Sequence, residues 1–394
     1  MPADFLESGT FQAFPPLHLR GKAVLPIVQG GMGVGVSAHR LAGSVARLGA
    51  VGTISSVDLR RHHPDLMRET AHCRDRATID RANLVALDRE IRTARELAAG
   101  RGLIAVNIMR AVSEYADYVR QSCQSGADAI VVGAGLPLDL PDLTADFPDV
   151  ALIPILSDSR GIQVVVRKWL RKGRLPDAIV IEHPRYAGGH LGAAKIEDLA
   201  DTRFDFENVL PETLAFFDSM GIARASLPLI PAGGINTHER VRELFALGAS
   251  AVQLGTAFAV TEESDAAPEF KRVLAEAEPK DIVEFMSVAG LPARAVRTPW
   301  LEKYLKHLPR MQEVAHKKLR CTLYFDCLQQ CGLRDGIARF GQFCIDTQLA
   351  AALRGDVAKG LFFRGAASLP FGKDIRPVRD LLEYLLTGNK PAPV

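Results

Sequence analysis

The sequence lacks the long apolar run of a membrane-spanning helix, since no stretch of about 18 uncharged apolar residues occurs in it. Near its start no basic segment precedes an apolar run, so no secretory signal is predicted. The formal net charge is only +2, which gives no indication of a nucleic acid or a membrane surface as partner. We therefore expect a cytoplasmic protein that acts on a small-molecule substrate, and a homodimer is compatible with this composition.

Cysteine is also scarce, and its six positions are not spread as in a disulfide-stapled secreted domain. Two are isolated and four crowd together: Cys73 and Cys123, then Cys321, Cys327, Cys331 and Cys344. Four thiols at short spacing could hold a [4Fe–4S] cluster or a structural zinc. The alternative is that they are small buried residues of apolar helices, because Phe325 and Leu328 lie beside them.

What the sequence does contain is a recurring unit, in which a short apolar run is followed by glycine or polar residues and then by a helical pattern. Eight such runs lie at 24–28, 51–54, 103–107, 129–132, 151–155, 178–181, 229–231 and 251–254, with helical patterns at 38–48, 114–125 and 238–247. Near-continuous apolar strands indicate burial on both faces, as in a parallel sheet covered by helices. Eight units over about 240 residues favour an α/β fold of the closed (β/α)8 TIM-barrel type over a doubly wound sheet.

The barrel is predicted to occupy residues 1–265, with insertions at about 60–101 and 191–227. The first insertion has the pattern of a long helix. The second follows the sixth strand on the side where active-site loops emerge, so we expect it to form a lid or a substrate wall. From residue 266 the strand–helix rhythm stops, and residues 266–394 are predicted to form a helical C-terminal extension that carries the cysteine cluster.

Glycines follow the last two predicted strands, where backbone amides can point at a ligand. These are Ala232-Gly233-Gly234-Ile235 and Gln253-Leu254-Gly255-Thr256. Paired glycine turns after strands seven and eight are the usual phosphate site of such barrels. The glycine-rich segment 29–35 after the first strand does not have the spacing of a dinucleotide fingerprint. It is suited instead to a flat ring system lying against the backbone.

Polar side chains follow two further strands. Asn107 ends the third strand and offers both a donor and an acceptor. After the sixth strand, His190 follows Gly188 and Gly189, which can turn the chain over the barrel mouth. With an ordinary pKa near 6.5, a histidine there can take or give a proton at neutral pH. His183 lies closer to the strand end and is a candidate for a second polar contact.

Together these segments resemble the nitronate monooxygenase family of FMN barrels, formerly called 2-nitropropane dioxygenases, which includes the flavin-type enoyl-ACP reductases. The similarity is carried by Q-G-G-M at 29–32, N-I-M at 107–109, A-G-G-H-x-G at 187–192, A-G-G-I at 232–235 and Q-x-G-T at 253–256. It implies an FMN cofactor and names His190 as the catalytic histidine. The implied FMN-binding residues are Gly31, Met32, Asn107, Gly188, Gly189, Gly233, Gly234, Gln253, Gly255 and Thr256, of which the last strands' glycines and Thr256 would hold the phosphate.

The chain departs from the family pattern at Tyr186, where a glutamate is common, while Glu182 lies four residues earlier.

Three functions stay open. One is nitronate oxidation with O2. A second is a reductase in which NAD(P)H reduces FMN and an enoyl thioester or quinone is reduced in turn, with His190 as the proton donor. The third is a flavin-free isomerase or lyase for a phosphorylated metabolite, although neither a lysine nor paired carboxylates stand at the strand ends.

Overall fold

The computed structural model describes residues 14–317 and 321–392. Its strands are β1 (Leu17–Leu19), β2 (Lys22–Val24), β3 (Ile27–Gln29), β4 (Val51–Ser55), β5 (Leu103–Met109), β6 (Ala129–Gly133), β7 (Ala151–Leu156), β8 (Ile179–Glu182), β9 (Gly189–His190), β10 (Leu229–Ala232), β11 (Val252–Leu254), β12 (Ile282–Met286) and β13 (Pro292–Val296). Eight of them form a closed parallel barrel in the order β10-β11-β3-β4-β5-β6-β7-β8. The predicted TIM barrel is confirmed.

The helices surround this barrel and alternate with its strands. They are α1 (His39–Arg47), α2 (Pro64–Thr70), α3 (Arg76–Ala98), α4 (Tyr115–Gln124), α5 (Leu140–Leu143), α6 (Ser159–Leu170), α7 (Phe206–Ser219), α8 (His238–Ala246), α9 (Thr256–Ala259), α10 (Pro268–Glu276), α11 (Pro299–Glu313), α12 (Gly332–Asp335), α13 (Ile345–Leu353) and α14 (Val378–Thr387). The three predicted helices correspond to α1, α4 and α8, and the long helix predicted within 60–101 is α3. No helix in the described ranges is long and apolar enough to cross a bilayer.

The apolar runs that predicted the strands supply two buried layers. Ala105 and Val131 pack with their counterparts inside the barrel, whereas Ile104 and Ile130, one residue earlier on each strand, pack against the helices. Alternation along each strand therefore fills both faces. The predicted first strand, 24–28, is divided in the structure. Val24 ends β2, which pairs with β1, and both strands close the bottom of the barrel against its interior.

Helix α1 lies unusually close to β4. A Cβ built on Gly52 would come within 1.9 Å of the carbonyl oxygen of Ala42 and 2.6 Å of its carbonyl carbon. Only a residue without a side chain allows this approach of helix to sheet.

The C-terminal extension contains a β-hairpin as well as helices, a feature that the sequence analysis did not predict. Strands β12 and β13 pair antiparallel, and β13 also pairs with β9, with Ala293 opposite His190. Farther along, α14 packs against α8 and α1 and buries Leu381, Leu382 and Leu385 in the outer core. It thus occupies the position between the seventh and first helices of the ring.

Candidate active site

A cavity of about 300 Å³ opens at the carboxyl ends of the barrel strands. Ligand sites of this fold lie at that end. The structure brings the predicted catalytic histidine and all the predicted cofactor-binding residues to its wall: Gly31, Met32, Asn107, Gly188, Gly189, His190, Gly233, Gly234, Gln253, Gly255 and Thr256.

The two glycine turns lie side by side, because Ala232 of β10 pairs in register with Gln253 of β11. Gly233 and Gly234 both have positive φ, +99° and +74°. At Gly234 an added Cβ would come within 2.9 Å of the Tyr186 ring. The turn at Gly233 and Gly234 therefore depends on the absence of side chains, and both turns border the same cavity as His190.

The glycine-rich loop that follows β3 also lies very close to β5. A Cβ on Gly31 would lie 2.3 Å from the Cβ of Asn107. The loop is held from below by Gln29, whose side chain accepts a hydrogen bond from the Thr53 N–H (2.8 Å) and donates one to the Thr53 carbonyl (3.0 Å). The Asn107 amide lines the cavity, with no hydrogen bond to any residue that the structure describes. It is free to pair with a ligand.

His190 is placed by the hairpin of the extension. The Leu191 N–H donates to the Pro292 carbonyl (2.8 Å), and the imidazole ring lies edge-on to Phe363 with centroids 5.6 Å apart. Its Nε2 is buried without a partner in the described part of the molecule. Burial lowers the pKa of His190 to about 4. The sequence analysis took the ordinary value; the structure instead makes this imidazole neutral at physiological pH, a form that accepts a proton.

His183, the candidate for a second polar contact, does not line this cavity. Its Nε2 is 3.1 Å from the Asp205 carboxylate and its Nδ1 accepts the Arg185 N–H at 3.3 Å. The ring packs edge-on against Phe206. His183 therefore holds the turn after β8 in place, with a polar side chain satisfied by its own neighbours.

Glu182 is a cavity residue that the sequence analysis mentioned only as a departure from the family pattern. It ends β8, opposite Ala232, and its side chain lines the cavity. Burial raises the pKa of Glu182 to about 7, and the Arg294 guanidinium opposes that rise. The signal in the sequence is its position, since the last residue of a barrel strand points toward the mouth.

The outer wall of the cavity comes from the extension, and the prediction for insertion 191–227 is wrong. None of these residues, all of which the structure describes, lines the cavity. The insertion instead supplies α7, which packs beside α6 on the outside of the barrel. The actual wall includes Leu328, Ile345, Leu361 and Phe363.

Part of this wall closes over the glycine turns. The Gly365 N–H donates to Thr256 Oγ1 (3.0 Å), and the Asn236 amide donates to the carbonyl and hydroxyl oxygens of Ser368 (3.0 and 2.8 Å). A Cβ on Gly188 would come within 2.5 Å of the Gly365 backbone nitrogen. The chain around residues 363–370 is thus attached to both glycine turns.

The four clustered cysteines do not form the predicted metal site. Within the described ranges no three His, Cys, Asp or Glu side chains are grouped so as to hold a metal ion. Cys321, Cys327, Cys331 and Cys344 are free thiols, and only Cys327 lines the cavity. Burial raises the pKa of Cys327 well above its ordinary value, and Cys327 and Cys331 pack against the apolar core of the extension. For Cys327 and Cys331 the structure supports the alternative, in which they are core residues.

Comparison with known proteins places this cavity in a known enzyme family. The family model for nitronate monooxygenase matches residues 18–388. The chain belongs to the nitronate monooxygenase family. The match reaches beyond the barrel and includes nearly all of the extension, whose hairpin and wall complete the site.

Individual relatives of the nitronate monooxygenase family are distant. A probable nitronate monooxygenase of Bacillus subtilis is 27% identical over 288 residues, 71% of this chain and 78% of that protein. The nitronate monooxygenase of Pseudomonas aeruginosa is 38% identical over 74 residues, 19% of this chain and 21% of that protein.

Solved structures share the fold. A nitroalkane oxidase from Streptomyces ansochromogenes has a TM-score of 0.62 at 20% identity and covers 96% of each chain. FabK from Thermotoga maritima has a TM-score of 0.61 at 22% identity, covering 92% of this chain and 91% of that chain.

Family membership makes this chain an FMN-dependent oxidoreductase. It excludes the third function considered from the sequence, a flavin-free isomerase or lyase.

Proposed function

We propose that this chain oxidises nitroalkanes or their nitronates with O2, using FMN held in the cavity. Three features fit FMN. The turn at Gly233 and Gly234, with positive φ, and the neighbouring turn at Gly255 and Thr256 border the cavity, where their backbone amides can face a phosphate. The Gly31 backbone and the unpaired Asn107 amide offer a flat surface and a polar edge for a ring system. When bound, FMN supplies the capacity to accept electrons and to react with O2.

The chain's own residues would bind, orient and deprotonate the substrate. Apolar side chains of the extension, among them Leu328 and Phe363, exclude water from the space beside His190. His190 Nε2, neutral and without a partner, would take the proton from the carbon that carries the nitro group. The buried His190 Nε2, which has no partner in the described part of the molecule and belongs to a residue lining the cavity, is the observation that carries the proposal.

The alternative is an NAD(P)H-dependent reductase of an enoyl thioester or quinone. In such a reductase His190 was expected to donate a proton. A pKa of about 4 for His190 leaves few protein molecules with this imidazole protonated at neutral pH. A reductase would need another donor, and Glu182 is the cavity residue that favours this alternative.

Anaerobic mixing of the flavin-loaded protein separates the two functions. Under the proposal, propane-2-nitronate bleaches the flavin absorbance rapidly and NADH and NADPH do not. Rapid bleaching by a nicotinamide with no response to nitronate would replace the proposal with the reductase. Protein purified without flavin absorbance, and unable to take up added FMN, would contradict both.

Replacing Asn107 with alanine should weaken FMN binding by about tenfold, because one to two hydrogen bonds to the ring system are lost. Titration of the apoprotein with FMN, followed by quenching of flavin fluorescence, measures the Kd. Asn208→Ala is the matched control, since that amide lies on α7 and donates to the Thr202 carbonyl outside the cavity. Equal affinity of the Asn107→Ala protein and the control would remove Asn107 from the cofactor site.

A further inference from the structure

Glu182 carries a half-buried carboxyl group with no assigned partner. No residue that the structure describes donates a hydrogen bond or an ion pair to it, although it lines the cavity. Buried carboxylates normally persist only when they are paired, because desolvation penalises the charge. An unpaired carboxyl group in such a place is retained more readily as the neutral acid.

The charged groups around Glu182 do not neutralise it. On the neighbouring strands, Ala232 of β10 faces Glu182, and Ile155 and Leu156 of β7 pair with the two residues that precede Glu182. None of these three neighbours titrates. From β13, Arg294 lies close, but its guanidinium is already bonded. It donates to Glu284 Oε1 (3.1 and 2.5 Å) and to the carbonyls of Pro184 (3.0 Å) and Ala187 (2.5 Å).

Among the titratable side chains that follow Glu182, His183 and Arg185 bond to Asp205 and to the Ala200 carbonyl. His190, on β9, lines the same cavity as Glu182. The two groups are pushed in opposite directions by burial. The pKa of Glu182 is raised to about 7 and that of His190 is lowered to about 4. Two groups whose environments separate their pKa values in this way are the usual sign of an acid and a base with distinct roles.

We propose that Glu182 is a second catalytic group, a neutral carboxylic acid that donates a hydrogen bond to the substrate oxygen on which negative charge develops. The proposal rests on the proposed function. When His190 removes the proton from the nitro-bearing carbon, the C–H electron pair becomes the C=N bond and charge moves onto the nitro oxygens. The proton passes to His190 Nε2, and Glu182 forms no covalent bond and requires no further reactant.

The first test is infrared spectroscopy of the flavin-loaded protein, as a wild-type minus Glu182→Gln difference spectrum across pH. We expect the carbonyl stretch of a protonated carboxylic acid at neutral pH, which disappears as the pH rises through about 7. Adding 2-methylpropanoate, an unreactive anion shaped like a branched nitronate, should shift this band. A band that is absent at neutral pH, or insensitive to the anion, would overturn the proposal.

The second test is the pH dependence of kcat/KM for a nitroalkane. The active form holds the proton, so wild-type activity should fall about tenfold per pH unit above pH 7. Glu182→Gln keeps a donor but cannot titrate, and should lose this decline. Glu182→Ala should lower kcat/KM by about 10²–10³-fold, as for removal of one donor to a developing charge. Glu197→Gln, on the exposed surface, should behave as wild type.

The two tests distinguish failure of the proposed function from failure of the proposed role of Glu182. An infrared band that titrates and responds to the anion, in a protein that does not oxidise nitroalkanes, would reject the proposed function and retain Glu182 as an anion-binding acid. Nitroalkane oxidation in which Glu182→Gln keeps the alkaline decline would reject Glu182 and retain the function.

Discussion

Replacing His190 with alanine should lower turnover of a nitroalkane by about 10²–10⁴-fold while FMN stays bound. The reason is chemical, because a nitroalkane must lose a proton from carbon before it can be oxidised, and Nε2 is the unpartnered neutral base in the cavity. A preformed nitronate has already lost that proton, so its oxidation should suffer much less. Steady-state oxygen consumption with both forms of one substrate measures the difference.

The informative quantity is the difference between the loss of activity toward the nitroalkane and the loss toward the nitronate. Equal losses for nitroalkane and nitronate would make His190 a positioning residue, and unchanged rates would remove it from the mechanism. His307→Ala is the matched control, since that ring lies on the exposed helix α11 and its Nδ1 contacts the Lys303 carbonyl.

The pH dependence of the wild-type enzyme checks the same role. His190 acts as a base only when neutral, and that form predominates above its pKa of about 4. Activity toward the nitroalkane should therefore be lost as the pH falls through about 4, rather than near the ordinary value for histidine.

Replacing Gly52 with alanine should destabilise the fold by about 3 kcal/mol, at the upper end of what overpacking costs. The new methyl group would overlap the backbone of Ala42, which cannot rotate away as a side chain can. Relief requires α1 to move off β4, which would disturb the outer core on which both pack. The expected observation is a lower midpoint of unfolding in urea, followed by circular dichroism.

Gly161→Ala provides the comparison, because the nearest atom to its new Cβ is Asp158 Oδ1 at 3.2 Å, and the residue lies within α6. Alanine is preferred over glycine inside helices, so this variant should be neutral or slightly stabilised. Identical midpoints for the two variants would show that α1 adjusts without cost.

The barrel was predictable because its strands are local features. Each apolar run predicts a strand buried on both faces. Gly233, Gly234 and Gly255 lie where barrel strands end. That these turns would border one cavity with His190 followed from the topology, since parallel strands end at the same side.

Contacts between segments that are far apart in the sequence could not be predicted from local patterns. The segment 292–296 is apolar except for Arg294, and nothing in that pattern says that it pairs with Gly189 and His190. Insertion 191–227 was wrongly expected at the cavity because it follows the sixth strand on the side where active-site loops emerge. Its apolar face, with Phe206 and Phe217, belongs to the outer core. Sequence periodicity reports that a face is buried and leaves open which surface covers it.

The position of α14 bears on how the protein is made. The ribosome releases the chain from its N-terminus, so all eight barrel strands emerge long before the helix that covers the gap between α8 and α1. Until residues 378–387 follow, the nascent barrel presents an apolar groove to water. A chain stalled or cut short before that point would hold every cavity residue of the barrel yet behave as a client of chaperones and proteases.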